Sequence, residues 1–568
     1  MFKTRVFCLF LYFFVVAGAK LWAQTLSEPI VKKVNSLFEN WDKTQSPGCV
    51  VGIVRNDTLI FANGYGMANL EYSVPNSPET VYHLASVSKQ FTAYAIILLA
   101  QQGKLSIDDD IRKYLPWFPN LKQKITIRNL LNHTSGIRDQ WQLLSIAGTR
   151  LDDVITQEQI IKILSKQQEL NFNPGDAFSY SNSGYTLLAE IVKSVSGLSL
   201  RKFTDSAIFK PLGMTNTHFH DDYTEIEKNR SYSYDRKGSF GFKNSILSYS
   251  TAGPTSLFSN VPDLSKWIMN FYNTRVGGDR AMANLTQRGG LNNGQELAYG
   301  AGITSATYKG WKQYWHNGAD AGYRTFISVF PDLKMGIIVL SNLSEINTQE
   351  RANQIADLLI NDKLSQNISK EKEQKRESKL SPEDLVMLKE QLGDYISEAG
   401  NTLSLELKQD NLYCSIWNNT SLLMKKSDNT FSMLYAPDIK FKFDPVFKDQ
   451  KVIMHAYDET FHFTKYQKMP ALDNKSMQEF TGVYYSPELD CSYGIMLKDN
   501  QLYLTNNKYN DAKLTLITTD HLLNDNWWMN HLLMTRNSAH QITGFEVNSG
   551  RIMHLKFVKK KADNIKRK

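Results

Sequence analysis

The spacing of hydrophobic and polar positions predicts that the chain begins with a region of mixed helices and strands. Residues 86–102 are apolar nearly all round, which is typical of a buried helix, and Gly103 is a natural stop for it. Other segments with helical spacing predict helices over 28–45, 126–132, 157–167, 184–196, 200–208, 262–272 and 349–360.

Short apolar runs in the same region predict β-strands. The runs 49–53 and 58–61 are separated by Arg55-Asn56-Asp57, as in two strands joined by a tight turn. Two further strands are predicted over 325–330 and 335–341. This mixture of elements favours an α+β unit that reaches from residue 25 to about residue 362.

A polar segment interrupts the pattern after the last of these helices. Residues 361–379 are almost all polar or charged, and we assign a charged linker to 363–382. Few contacts are expected to cross such a linker, so we predict that residues 25–362 are loosely tethered and fold on their own.

The region beyond the linker contains an internal repeat. Two matches between its halves show this, namely 392–395 with 481–484 and 407–413 with 497–503. In the first copy Leu403, Leu405 and Leu407 alternate with polar residues, which is typical of half-buried antiparallel strands. We therefore predict two antiparallel β-barrel-like repeats, at 383–468 and at 469–562 with a basic tail to residue 568.

The N-terminal segment predicts export. Lys3 and Arg5 precede the apolar run 6–16, and the small residues Ala17-Gly18-Ala19 follow, which is the signature of a secretory signal peptide over residues 1–24. The apolar run is too short to span a bilayer comfortably. We expect a periplasmic or secreted protein with no transmembrane helix beyond the signal segment.

The net charge of +8 comes from the two ends of the chain. Residues 1–24 contribute +3 and residues 559–568 contribute +5, which leaves a neutral body. This distribution argues against a nucleic-acid-binding surface. The basic tail is interpreted as a solvated end, with a peripheral contact to an anionic cell-envelope surface as the alternative.

Cysteine usage and metal motifs exclude two further classes of protein. The chain has 4 cysteines and neither C-x-x-C nor H-E-x-x-H, so neither a disulfide scaffold nor a metal site is predicted. We expect no cofactor.

The first candidate for chemistry is Ser86-Val87-Ser88-Lys89, at the start of the buried helix. Residues three apart lie on one helical face, so Ser86 and Lys89 are expected to be neighbours. A lysine one turn inside the protein would be partly desolvated, which disfavours its charged form and makes it a candidate base. On its own, the pattern also fits a serine N-cap followed by a lysine.

Two other segments carry candidate residues. Tyr180-Ser181-Asn182 follows a Pro-Gly turn and precedes a helix, which predicts Tyr180 on a short exposed loop where its phenol can act as a base. The segment 316–319 reads His-Asn-Gly-Ala before two predicted strands, and Gly318 would let a substrate backbone approach an edge strand. Alone, each segment also fits a structural role.

In this order, S-x-x-K, Tyr-x-Asn and His-x-Gly resemble the serine β-lactamase and penicillin-binding protein superfamily, from about residue 30 to 360. The branch with class C β-lactamases, D-aminopeptidases, DD-carboxypeptidases and related esterases is the most similar. The resemblance implies a β-lactamase-like catalytic domain, with an antiparallel sheet flanked by helices, before the two repeats, which we expect to be lipocalin-like. His133 lies in a stretch that is structural in this family.

The resemblance also implies roles for individual residues. Ser86 would be the acylated nucleophile, and Lys89 and Tyr180 would share the proton transfers. Asn182 would bind a substrate amide, and His316 would replace the lysine that many relatives carry. Gly318 would belong to the substrate-binding strand. The backbone N–H groups of Ser86 and Ala319 would form the oxyanion hole.

We therefore expect an exported serine hydrolase that acts through an acyl-enzyme on small esters, amides or peptides containing D-amino acids. A histidine at position 316 is mostly neutral at pH 7, which argues against a dedicated β-lactamase. Two alternatives stay open: a DD-carboxypeptidase or weak β-lactamase acting on cell-wall peptides or β-lactams, and a non-catalytic protein that binds or senses cell-wall fragments. We expect His316 to face a wet cleft.

Overall fold

The computed structural model describes residues 26–561 except 240, 361–379, 418, 428–429, 435, 437, 444–450, 457 and 471. The predicted signal peptide, most of the predicted linker and the end of the basic tail lie outside the described residues. Every helix within them is too short or too polar to cross a bilayer.

A six-stranded antiparallel sheet forms the centre of the first unit. Its strands, in spatial order, are Thr304–Tyr308, Trp311–Asp320, Tyr323–Phe330, Met335–Ser341, Cys49–Arg55 and Thr58–Tyr65. The predicted hairpin is present, and Asn56 and Asp57 make its two-residue turn with φ values of 47° and 61°. Asparagine and aspartate tolerate this left-handed conformation better than most residues, which explains the turn.

Helices pack on both faces of this sheet. The helix Ser88–Gln101 is buried through Leu99 on nearly every side, as its uniform apolar pattern predicts. The remaining helices of this unit are Glu28–Ser36, Ile127–Leu131, Gln140–Ile146, Gln157–Leu164, Asn182–Ser196, Leu200–Thr204, Lys210–Leu212, Val261–Asn273, Gly278–Thr286 and Thr348–Leu359. Short strands complete it at Met67–Asn69, Val74–Pro75, Tyr82–His83, Ile155–Thr156, His218–Phe219, Tyr234–Arg236, Phe242–Asn244, Tyr249–Ser250 and Leu257–Ser259.

Two of the predicted helices differ from the observed ones. The opening helix ends at Ser36 rather than at residue 45, because the following turns place Phe38 against Tyr65, with ring centroids 4.8 Å apart. The helix predicted over 200–208 becomes a π-helical segment at Asp205–Phe209, which buries Ile208 and Phe209. Tertiary packing decides both departures.

The first repeat folds as a closed barrel of eight antiparallel strands. A short helix, Pro382–Lys389, precedes it. Its strands are Gly393–Ser397, Thr402–Lys408, Asn411–Ile416, Asn419–Ser427, Thr430–Met433, Lys440–Phe443, Lys451–Ala456 and Glu459–Tyr466, and the first pairs with the last. The barrel encloses an apolar core of its own.

The second repeat folds as a nearly closed sheet of nine antiparallel strands. Its strands, in spatial order, are Tyr509–Lys513, Gln501–Asn506, Cys491–Lys498, Gly482–Ser486, Ile552–Lys559, Ile542–Ser549, His531–Arg536, His521–Leu523 and Thr515–Leu516. A short helix, Asn474–Met477, precedes it.

The prediction of loose tethering is wrong for the second repeat. Its apolar core is continuous with the core around the helix Ser88–Gln101. Arg138 and Glu488 form an ion pair of 2.7 Å across the boundary, with side chains that are 0% and 5% exposed. Gln142 also donates to the Ser549 carbonyl at 2.5 Å. The linker's composition carried no information about these contacts, which form between surfaces remote from it.

Candidate active site

Ser86 lies in a 3₁₀ turn, Ala85–Val87, that leads directly into the helix Ser88–Gln101. Ala85 has a φ of 49°, an uncommon value for a residue with a side chain, so the backbone before Ser86 is strained. The Ser86 side chain is partly exposed, whereas Ser88 is buried. The Ser88 hydroxyl donates to the Ala85 carbonyl at 2.6 Å and accepts from the Leu257 N–H, which gives it a structural role.

Lys89 brings a fully buried amine to Ser86. Its Nζ lies 3.1 Å from Ser86 Oγ, 3.0 Å from Asn182 Oδ1 and 2.8 Å from the Pro254 carbonyl. Burial lowers the pKa of Lys89 well below its ordinary value, and the positive charge of Arg551 adds to this effect. A neutral amine suits the three partners, because it donates to the two acceptors and keeps a lone pair for the serine hydroxyl.

Tyr180 completes a cluster with these two residues. Its hydroxyl shares a hydrogen bond with the Ser86 side chain, and Lys89 Nζ lies 4.8 Å from the centre of its ring. Burial raises the pKa of the Tyr180 phenol above its ordinary value. The residue is therefore less exposed than predicted, because His133 packs against its ring with centroids 4.2 Å apart.

His133 has the structural position that the family resemblance implies. It is 1% exposed, and its Nδ1 accepts the backbone N–H of Ser181 at 3.2 Å. Its carbonyl accepts the N–H of Ser179 at 2.9 Å. The histidine thus fixes the loop that carries Tyr180.

Asn182 lies at the start of the helix Asn182–Ser196 and connects Lys89 to a buried acid. Its Oδ1 accepts from Lys89, while its Nδ2 and its backbone N–H both donate to Asp139 Oδ2 at 2.8 Å. Asp139, which the sequence did not single out, orients the amide so that the oxygen faces the lysine.

The strand Trp311–Asp320 forms the opposite wall of the cleft. Its pairing with Thr304–Tyr308 stops at Trp315, so among the described residues the segment 316–320 has no strand on that side. A Cβ on Gly318 would lie 2.4 Å from the Leu84 carbonyl oxygen, which is closer than any side chain tolerates. Glycine at 318 therefore allows the strand to contact the turn that carries Ser86.

His316 belongs to this wall, but it does not face a wet cleft as predicted. The side chain is 3% exposed, with Nε2 2.9 Å from the Tyr299 hydroxyl and Nδ1 2.5 Å from the Asn317 carbonyl. Because a carbonyl only accepts, Nδ1 carries the proton and Nε2 accepts from Tyr299. Burial lowers the pKa of His316 to about 3, so the imidazole is neutral.

Asp320 places a buried carboxyl at the end of the same strand. It accepts from the Thr255 hydroxyl at 2.8 Å, and its other neighbours include His83 Nε2 at 3.9 Å. Burial raises the pKa of Asp320 to about 6. Ala319, between Gly318 and Asp320 on this strand, is exposed.

Both C-terminal repeats reach this site, which the sequence did not indicate. In the first repeat, Asp458 accepts the backbone N–H groups of Ala298 and Tyr299 at 2.7 and 2.9 Å, and Glu459 accepts that of Tyr180. In the second repeat, Arg551 lies over the Tyr180 ring. None of these residues belongs to a recognisable motif, so only the tertiary structure reveals them.

A group that resembles a metal site lies apart from this cluster. Ligand atoms of His218, His220 and Glu225 lie within 4.8 Å of one another. The Glu225 carboxylate is already engaged by both terminal nitrogens of Arg201, at 2.5 and 2.8 Å. The Arg201 guanidinium therefore lies where a metal cation would have to bind. We interpret the three residues as part of an ion-pair network.

Comparison with known proteins agrees with this geometry. A family model described as Beta-lactamase matches residues 34–362. The match covers more than half of the chain, which therefore belongs to the beta-lactamase family, a family of serine hydrolases with the fold described above.

Several relatives are similar in sequence. Penicillin-binding protein 4* of Bacillus subtilis (strain 168) is 27% identical over 429 residues, 72% of this chain and 93% of the relative. Protein flp of Staphylococcus aureus (strain MRSA252) is 29% identical over 328 residues, 55% of this chain and 63% of the relative. The D-aminopeptidase of Gluconobacter oxydans (strain 621H) is 24% identical over 298 residues, 52% and 56% of the two chains. The chain thus spans less than two thirds of the last two relatives.

Solved structures show the same fold. The octameric penicillin-binding protein homologue from Pyrococcus abyssi superposes with a TM-score of 0.52 at 24% identity, over 77% of this chain and 100% of the other. The D-amino acid amidase from Ochrobactrum anthropi SV3 superposes with a TM-score of 0.51 at 18% identity, over 58% and 98% of the two chains. Similarity at these identities concerns the fold alone.

Proposed function

We propose that the chain is an exported serine hydrolase that cleaves small esters, amides or peptides containing D-amino acids through an acyl-enzyme on Ser86. The observation that carries the proposal is the buried Lys89 amine 3.1 Å from Ser86 Oγ. Burial lowers its pKa and so favours the neutral amine, which is the form that can take the proton of a serine hydroxyl.

The proposed reaction has two halves. Ser86 Oγ forms a bond to the substrate carbonyl carbon while its proton moves to Lys89 Nζ. The bond to the leaving group then breaks as Tyr180 passes it a proton, and Lys89 restores the proton of Tyr180. In the second half, water attacks the acyl carbon and gives a proton to Lys89 Nζ. The bond between that carbon and Ser86 Oγ then breaks, Ser86 Oγ takes the proton back from Lys89, and the acid is released.

The scheme also assigns a binding position to the substrate and hydrogen-bond donors to the negative charge that develops on its carbonyl oxygen. The substrate backbone lies along the edge 316–320, which no described strand covers on that side. The backbone N–H groups of Ser86 and Ala319 stabilise the oxyanion, and each such donor is worth about 10²–10³ in rate. His316, buried and neutral, supports the wall through Tyr299 rather than by offering a charge.

The matches to a penicillin-binding protein and to a D-aminopeptidase support substrates that contain D-amino acids. They leave two alternatives: a DD-carboxypeptidase or weak β-lactamase, and a protein that is acylated or occupied without turnover. The signal-like segment supports periplasmic or secreted localisation, which fractionation of expressing cells tests.

The first experiment is a hydrolysis panel with Ser86→Ala. The panel consists of short acyl esters, D-amino-acid amides, D-Ala-D-Ala peptides and a chromogenic cephalosporin. We expect Ser86→Ala to lower turnover by about 10⁴–10⁶-fold, because it removes the nucleophile. The matched control is Ser181→Ala, since the Ser181 hydroxyl is buried without a hydrogen-bond partner among the described residues.

Mass spectrometry after a fluorophosphonate probe locates the reactive serine. A single adduct on Ser86, lost in Ser86→Ala and kept in Ser181→Ala, supports the assignment. Full activity in Ser86→Ala, or an adduct on Ser88, contradicts it. Labelling without hydrolysis of any substrate favours the non-catalytic alternative.

A further inference from the structure

The second repeat places a cation at the mouth of the candidate active site. The guanidinium carbon of Arg551 lies 4.9 Å from the centre of the Tyr180 ring. Its side chain is 44% exposed, so it contacts both the cleft residue and solvent. Arg551 follows Gly550, whose φ of 56° makes the turn between the strands Ile542–Ser549 and Ile552–Lys559.

The backbone of Arg551 is held by the catalytic unit rather than by the repeat alone. Its N–H donates to Gln142 Oε1 at 3.0 Å, and its carbonyl accepts from Asn171 Nδ2 at 2.8 Å. The same carbonyl accepts the N–H of Asp139 at 3.4 Å. Three hydrogen bonds to separate segments therefore fix where the side chain begins.

The guanidinium keeps its donors available. It makes no hydrogen bond to any residue that the structure describes, and its nearest acidic oxygen, Asp139 Oδ2, is 3.9 Å from Nη1. That oxygen already accepts two N–H groups from Asn182. Glu459 also faces this region and is occupied by the backbone N–H of Tyr180.

On the opposite wall, the guanidinium of Arg324 already donates to two backbone carbonyls, those of Ala321 and Tyr323. His316 is buried and neutral, and Asp320 contributes a carboxyl. Lys89 is fully buried behind Ser86. Arg551 is therefore the accessible cation beside Tyr180 within the described part of the cleft, and its planar fork suits bidentate binding of a carboxylate.

We propose that Arg551 forms a carboxylate-binding subsite for the leaving group of the substrate. The proposal rests on the proposed function, in which Tyr180 protonates the leaving group, because Arg551 lies over the Tyr180 ring. The favoured substrates are then acyl compounds, such as short peptides, whose leaving group carries a free carboxylate. A residue of the second repeat would thus determine specificity.

The test compares two thioesters that differ only in the leaving group. One is an acyl-D-alanyl thioester of thioglycolate, which has a free carboxylate, and the other is the corresponding thioester of methyl thioglycolate. In Arg551→Gln we expect kcat/KM for the carboxylate substrate to fall about ten- to a hundredfold. We expect the value for the neutral substrate to stay within about threefold, and Arg551→Lys to retain part of the preference.

The matched control is Lys556→Gln, on the strand that follows Arg551. Lys556 pairs with Glu169 at 2.6 Å on the surface, outside the cleft, so its loss removes one positive charge without touching the subsite. We expect its substrate preference to equal that of the wild type. An unchanged preference in Arg551→Gln overturns the proposal, and so does an equal fall for both substrates, which would make Arg551 a positioning residue for Tyr180.

A binding measurement separates this proposal from the proposed function. Acetyl-D-alanyl-D-alanine and its carboxamide are titrated into Ser86→Ala and into the double variant that also carries Arg551→Gln. We expect Ser86→Ala to prefer the free acid by about tenfold or more, and the double variant to lose that preference. Such a result in a protein that hydrolyses nothing would support the subsite while the proposed function failed, and equal binding of both peptides to Ser86→Ala would overturn the subsite.

Discussion

The two C-terminal repeats share a strand pattern, yet they relate to the catalytic unit in different ways. The first closes on itself around its own apolar core and reaches the active site through the turn that carries Asp458 and Glu459. The second shares its core with the catalytic unit and adds a buried ion pair. A repeat that is recognisable in sequence can therefore have two different structural roles.

The shared pattern of the two repeats is visible in matching details. Tyr395 donates its hydroxyl to the carbonyl of Gln391 at 2.6 Å, and Tyr484 does the same to Phe480 at 2.6 Å. The difference lies in the hydrogen bonds to the catalytic unit. Tyr493 and Tyr509 of the second repeat donate to the carbonyls of Ile146 and Ser145, both at 2.9 Å. Individual side chains of this kind, rather than the strand pattern, decide which repeat becomes part of the catalytic unit.

The largest expected effect comes from removing the second repeat. A fragment of residues 26–360 would expose the shared apolar core and leave Arg138 without its partner, so we expect it to aggregate or to lack a cooperative thermal transition. In the matched control, a Gly/Ser linker of about 40 residues replaces only residues 380–468. We expect this chain to unfold cooperatively, as followed by circular dichroism.

The outcome bears directly on the comparison of the repeats. If the 26–360 fragment folds cooperatively and hydrolyses a small ester, the second repeat is not needed for folding or activity, as we predicted from the charged linker. If the control fails to fold while the wild type folds, the first repeat contributes more to the stability of the catalytic unit than the turn that carries Asp458 and Glu459.

A smaller effect is expected from Glu488→Gln. The substitution leaves the Arg138 guanidinium buried beside a neutral amide, and breaking one partner of a buried pair costs about 3–5 kcal/mol. The exposed pair Lys556–Glu169 joins the same two units, so Glu169→Gln is the matched control, with an expected cost below about 1 kcal/mol. Chemical denaturation measures both; equal costs would show that the buried pair does not hold the interface.

The smallest expected effect concerns His316. This neutral group lies in the cleft wall and bonds to Tyr299, which the first repeat contacts through Asp458. The unfolded chain protonates His316 near its ordinary pKa of about 6.5, whereas the folded chain does so only at about 3. Between these values the unfolded state binds more protons, so the free energy of unfolding falls as the pH is lowered. The stability advantage of the wild type over His316→Gln should therefore shrink by roughly 2 kcal/mol from pH 7 to pH 5.

The comparison must use the difference in free energy of unfolding between the wild type and His316→Gln, because Asp320 changes that free energy with pH in the opposite direction. Its pKa, raised to about 6, makes the folded state bind more protons than the unfolded one between about 4 and 6, which stabilises the fold as the pH falls. This contribution is common to both proteins and cancels in the difference. Parallel pH profiles for the wild type and His316→Gln would mean that the folded protein accommodates a charged His316.

The sequence alone determined the local parts of this protein. Alternation and turn residues predicted the hairpin at 49–61 and the strand 335–341, because side-chain spacing reports burial directly. Ser86 and Lys89 were paired from their spacing of three residues, since one helical turn fixes their proximity. The order of the three motifs identified Tyr180 and His316 as candidate site residues, but it did not predict that both side chains are buried.

Only the tertiary structure decided what surrounds these residues. His133 packs against the Tyr180 ring and Tyr299 bonds to His316. Arg551 lies over the Tyr180 ring from a turn more than 350 residues further along the chain. The physical reason is that such contacts depend on the shapes of two folded surfaces, whereas periodicity reports only which face of one element is apolar. Desolvation, which sets the pKa of Lys89 and of His316, is likewise a property of the assembled site and not of any segment.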